Sequence, residues 1–130
     1  MDYIYKYKIW TNLFFLVPLI LALLNHLYLY IFILIGVFAN SLLYHFFNQK
    51  RYKYSDKIFA WLLMGTNLLY AELGHFKFPY FLIALVCVAI SLYFYFKKSH
   101  SSKQYNINHG LWHTGSAIIT IFSMLTFLIK

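Results

Sequence analysis

Apolar residues run along this chain in long blocks separated by short polar gaps. A helix that crosses a bilayer needs roughly 20 mostly apolar residues. Five segments fit that description: 9–24, 27–47, 56–73, 78–96 and 108–129. Tyr3, Tyr5, Tyr7 and Trp10 open the first as an interfacial aromatic belt, and Asn25 and His26 supply the turn into the second. The third is interrupted by Gly65 and Asn67 and ends at Glu72. The fourth carries Pro79 in its first turn, where a missing N–H costs little. The longest polar linker covers 97–108, and neither repeats nor low-complexity tracts occur. This pattern predicts an all-α fold: one integral membrane bundle of about five transmembrane helices, a single domain over 1–130.

Composition strengthens the membrane expectation. Of 130 residues, 62% are hydrophobic and 11% charged, more apolar surface than a soluble fold of this size can bury. The thirteen Tyr suit a membrane boundary, where an apolar ring and a polar tip are both satisfied. A net charge of +8 would suit nucleic acid if the basic residues shared a soluble face. They occupy the gaps between apolar blocks instead, so no nucleic-acid partner is expected. Cys87 is the only cysteine, which excludes an intrachain disulfide. Segment 9–24 runs almost at once into the next with no small-residue cleavage site, so it reads as a retained span rather than a signal peptide. Lys50, Arg51, Lys53, Lys57, Lys97, Lys98 and Lys103 fall on one side of the expected bundle; Lys6, Lys8, Lys77 and Lys130 fall on the other. That excess places the first side in the cytoplasm and the N-terminus outside or in a lumen.

Ionisable residues within spans are expensive and are functional candidates by default. The second span ends in Ser41-Leu-Leu-Tyr-His45, the third opens with Ser55-Asp56, and the fifth opens with His109-Gly-Leu-Trp-His113. An i, i+4 spacing puts both members of a pair on one helix face, and two histidines so placed can reach one metal ion. Five spans bring all three motifs to the same membrane side, within about one or two helical turns of it; four or six would separate them. Three histidines with an open fourth position is the usual arrangement of a catalytic zinc, which lowers the pKa of a bound water to about 7. Asp56 is then placed to accept the water's proton, and Ser41 to donate a hydrogen bond to a substrate oxygen as charge develops.

Each residue also has an ordinary role. Ser41 can serve close helix packing, as Gly110, Gly115, Ser116 and Ala117 do. Asp56 can be a first-turn acid with Ser55 as its cap, His45 an interfacial histidine, and the His109/His113 pair a polar helix start. Glu72 and His75 read as a solvated turn on the opposite side, His26 as a turn residue and His100 as part of a polar loop. Thr66 and Asn67 are candidates for hydrogen bonds between helices or for the border of a cavity. Gly110 follows His109, so the adjacent glutamate that an H-E-x-x-H protease needs is lacking.

The ordered set of Ser41, His45, Asp56, His109 and His113 resembles the signature of the CREST membrane hydrolases, the superfamily of alkaline ceramidases, progestin and adiponectin receptors and myomaker-like proteins. The eleven-residue step from His45 to Asp56 is similar to the alkaline ceramidases, and the tryptophan within the last motif is similar to the ceramidase and myomaker-like branches. The resemblance implies zinc held by His45, His109 and His113, with Asp56 and Ser41 beside it, and a lipid amide or ester as substrate. It equally allows a receptor or fusion-type protein whose zinc is structural or ligand-sensing. A bundle without metal is the third alternative. Family members typically have seven spans, and a homodimer would supply the walls that this five-span chain lacks.

Overall fold

A computed structural model describes residues 13–47, 50–97 and 102–129, leaving aside the side chains at 45, 47, 50, 53, 102, 103, 105, 106 and 109. The expected belt of Tyr3 to Trp10, the start of the first span and His100 lie outside the described residues. Five helices follow in order: α1 (Leu16–Leu24), α2 (Tyr28–Phe47), α3 (Lys50–Leu73), α4 (Tyr80–Phe96) and α5 (Ser102–Leu128), with no strand among the described residues. The fold is all-α. Among the described residues, only Gly110–Leu128, within α5, is both long and apolar enough to cross a membrane by itself; the apolar stretches Tyr28–Tyr44 and Tyr80–Phe96 are shorter.

Two helices depart from the expected limits. The structure starts α3 at Lys50 rather than 56, and α5 at Ser102 rather than 108. The added residues, such as Arg51, Lys103 and Gln104, are good helix formers, so the helices propagate past the apolar blocks into the polar gaps. Ser55 is therefore inside α3 and is not its cap. Pro79 precedes α4 instead of lying in its first turn.

Two turns share one chain-reversal device. After α1, Leu27 N–H bonds back to Ala22 O (3.0 Å) and His26 N–H to Leu23 O (3.4 Å); after α3, Phe76 N–H reaches Ala71 O and His75 N–H reaches Glu72 O, both at 2.9 Å. These nested bonds form the Schellman pattern, which needs one residue in the left-handed region. His26 and His75 fill that position, each with φ of 56°. Asn25 Nδ2 closes the first turn further on Leu21 O at 2.8 Å.

Helices α1, α2, α3 and α5 pack in a ring, each against the next and α5 back against α1, while α4 packs on α5 outside it. Leu27, Tyr30, Ile33, Leu34 and Val37 of the α2 segment meet Leu63 of α3 and Ala117 and Met124 of α5 in the centre. At the α4–α5 seam, a Cβ on Gly115 would collide with Ser91 Oγ, so the missing side chain sets how closely these helices approach.

Candidate functional site

The bundle interior mixes polar side chains with its apolar core, and many large apolar side chains lie outside. Ser41, Thr120 and Thr126 are fully buried, whereas Leu24, Phe32, Trp61 and Phe78 are each about 70% exposed or more. On α5 the inward positions include Asn108, His113, Ser116, Thr120 and Ser123. Hydrogen bonds join this face to the neighbouring helices. Tyr30 Oη donates to Asn67 Oδ1 (2.8 Å), and Asn67 Nδ2 donates to Thr120 Oγ1 (3.1 Å), linking α2, α3 and α5 at one level. Thr120 Oγ1 donates in turn to Ser116 O at 2.8 Å. Asn67 thus makes the interhelical bonds expected of it. Thr66 does not: its hydroxyl turns back to Leu62 O of its own helix at 2.8 Å.

That level fixes the axial register of the candidate residues. At about 1.5 Å per residue, positions 41, 56 and 109 each stand eleven residues from it, roughly 16 Å toward the end where α2 stops and α3 and α5 begin. Position 113 stands about 10 Å and position 45 about 22 Å from the same level. A second contact agrees with this register: Ser55 Oγ donates to Asn40 Oδ1 at 2.5 Å, and Asn40 Nδ2 donates to Gly36 O at 2.7 Å. The five positions therefore share one end of the bundle within about two helical turns.

Their described side chains differ in surroundings. Ser41 is completely buried on α2, and Asp56 is half-buried in the second turn of α3. His113 is 5% exposed, with its ring edge-to-face against Phe15, just before α1, at 5.6 Å and 89°. The helix carries positions 109 and 113 on one face, but the side chains of His45 and His109 fall outside the description. Among the described residues, no group of three or more His, Cys, Asp or Glu is placed to hold a metal. The donor set still fits zinc in kind: imidazoles with one nearby carboxylate suit the ion, and the burial of His113 and Ser41 would keep bulk water from it.

The other histidines and acids lie elsewhere. Glu72 and His75 are exposed at the opposite end, in the turn described above. A cleft lined by Gly74, His75, Lys77, Thr126 and Phe127 opens there, where Lys77 Nζ also bonds Ile129 O. Sequence reasoning missed Tyr30 and Thr120. Tyr30 is one of thirteen tyrosines with no local pattern to set it apart. Thr120 carried a signal that went unread, since 113, 116, 120 and 123 recur at helical spacing with polar side chains.

No family model, curated protein or solved structure matches the chain.

Proposed function

We propose that this chain is a compact zinc-dependent hydrolase of the CREST type, embedded in a membrane and acting on an amide or ester of a membrane lipid. The observation that carries the reading is the common register of positions 41, 45, 56, 109 and 113, on three helices, at one end of the bundle. The membrane part rests on buried polar residues beside exposed large apolar ones. Large exposed side chains such as Phe32 and Trp61 would form a costly contiguous apolar surface in water. In lipid they are solvated, and the polar residues serve as contacts between helices. At about 1.5 Å per residue, the 17-residue apolar helix Tyr80–Phe96 spans roughly 26 Å, close to the hydrocarbon thickness. In this reading the protein is multi-pass, and the excess of Lys and Arg beside the candidate site favours the cytoplasm for that end.

In this reading His45, His109 and His113 would hold the ion. Bound there, zinc would supply a water acidified to a pKa of about 7 and a Lewis acid for the substrate carbonyl. Asp56, on the opposing helix, accepts the water's proton and returns it to the leaving amine or alkoxide. Ser41 lies on the His45 face of α2, one turn away, and donates a hydrogen bond to the carbonyl oxygen as it gains charge. The bulk of the lipid stays in the bilayer, so only its polar head region has to enter the bundle.

Turnover of fluorescent lipid amides and esters by purified protein in mixed micelles tests the reading. Wild type is expected to hydrolyse at least one with zinc dependence. Asp56→Ala should retain zinc and lose turnover by at least about a hundredfold, the range for removal of a general base. A zinc-loaded wild type that releases no product from the panel would favour the receptor-like branch, with a structural or ligand-sensing ion.

A further inference from the structure

Helix α3 packs against α2 and α5, and Leu63, Thr66, Asn67 and Ala71 are buried on that side. At about 100° per residue, Tyr54, Lys57, Ile58, Trp61, Leu62 and Gly65 fall within about 140° of arc on the opposite side. All six are exposed. The first five line an open groove of about 410 Å³. One turn beyond Trp61, a Cβ on Gly65 would meet nothing within 4 Å. The outer surface of α3 is therefore a groove that runs into a depression, and among the described residues no other helix covers it.

One member of this apolar groove is a cation. Arg51 lies over the Tyr52 ring at 4.7 Å and Lys97 over the Tyr93 ring at 5.6 Å. Among the described residues, no hydrogen bond, ion pair or ring contact engages Lys57. Its depth follows from the Asn67–Thr120 bond, because Thr120 stands near the middle of the apolar stretch Gly110–Leu128. Lys57 is ten residues from Asn67, roughly 15 Å along α3 at about 1.5 Å per residue. Half of a hydrocarbon core about 30 Å thick is the same distance. Lys57 thus stands where acyl chains give way to phosphates. Trp61, one turn deeper, suits the ester level, where an apolar ring and an N–H donor are both satisfied. A second copy of the chain on this face, about a two-fold axis parallel to the helices, would bring two Lys57 ammonium groups together, and like charges so placed repel. An anion carrying an apolar tail meets both the charge and the groove.

We infer that the outer face of α3 binds an anionic phospholipid, with its phosphate on Lys57 and an acyl chain along Trp61, Leu62 and Gly65. A lipid held there fixes the depth of α3 in the leaflet that carries the candidate site. The inference rests on the membrane part of the reading above and is independent of zinc.

The test uses the full chain with Trp10→Phe and Trp112→Phe, which leaves Trp61 as the one tryptophan of three. It is reconstituted in vesicles of phosphatidylcholine and phosphatidylglycerol, with one or the other lipid brominated on its acyl chains. Bromine quenches an indole it touches, so the two series report which lipid occupies the groove. A preference of about fivefold for phosphatidylglycerol is expected, the effect of one lysine near an anionic lipid surface. Lys57→Arg should keep that preference and Lys57→Gln should abolish it. Lys97→Gln, which removes a charge from the same end of the bundle, should leave it unchanged. Equal quenching by the two lipids, or a preference that survives Lys57→Gln, would overturn the inference. Weak quenching by both lipids would also overturn it, because a second copy or another protein then covers the face. Release of the chain from the vesicles by alkaline carbonate would sink the membrane reading and the site together, whereas a retained chain without lipid preference sinks the site alone.

Discussion

Six histidines lie in this chain, and the fold separates them by what their backbone does. His26 and His75 occupy left-handed positions that end α1 and α3, an uncommon conformation for a residue with a Cβ. Their place is explained by chain reversal alone. Replacing either by glycine should raise stability by about 1 kcal/mol, since glycine adopts that conformation without steric cost, and should leave bound zinc unchanged. Unfolding of each variant in mixed micelles, with metal analysis, checks both points. Tyr30 is held differently. Its hydroxyl is a buried donor to Asn67, and its ring packs at 4.5 Å on Tyr70, itself edge-on to Phe127 at 5.0 Å. Tyr30→Phe keeps the ring contacts and removes only the donor, so a loss of about 1 kcal/mol is expected in the same unfolding measurement. Tyrosine was expected at the membrane boundary, and nothing in the local sequence distinguishes this one. Its role becomes visible only when Asn67 is brought opposite it.

At the scale of the helices, the sequence was most legible where apolar blocks were unbroken. The limits expected for α2 and α4 lie within two residues of those observed, because turn residues interrupt the backbone near where apolarity stops. They were least legible for α3 and α5, which each begin six residues before the expected start. Apolarity marks where lipid would begin, whereas helix propensity marks where hydrogen bonding can continue, and Lys, Arg and Gln satisfy the second condition alone. Packing between helices was legible only through small residues. Gly115 faces Ser91 with no room for a Cβ, while a Cβ on Gly65 would meet nothing within 4 Å. Gly115→Val should therefore cost about 1–3 kcal/mol by forcing α4 from α5. Gly65→Ala should be neutral or stabilising by up to about 1 kcal/mol, from helix propensity alone. Equal responses of the two variants in thermal unfolding would contradict the close seam at Gly115.

The ring of four helices, with α4 outside, could not be read from the chain. The apolar blocks carry no single strong amphipathic stripe that tells which face turns inward. The polar residues give the answer in retrospect. Asn67, Ser116 and Thr120 are buried, and large apolar side chains such as Phe32 and Trp61 point out. The candidate site was more legible than the packing, because spacing and span parity are properties of the sequence itself. Ser41-x-x-x-His45, Asp56 and His109-x-x-x-His113 are set on three helices whose register carries them to one end of the bundle. We propose that this convergence is a metal centre. Metal analysis of purified, correctly folded protein tests that most directly. About one equivalent of zinc is expected per chain, lost when His109 and His113 are both replaced by alanine. Folded wild-type protein without zinc would contradict the account.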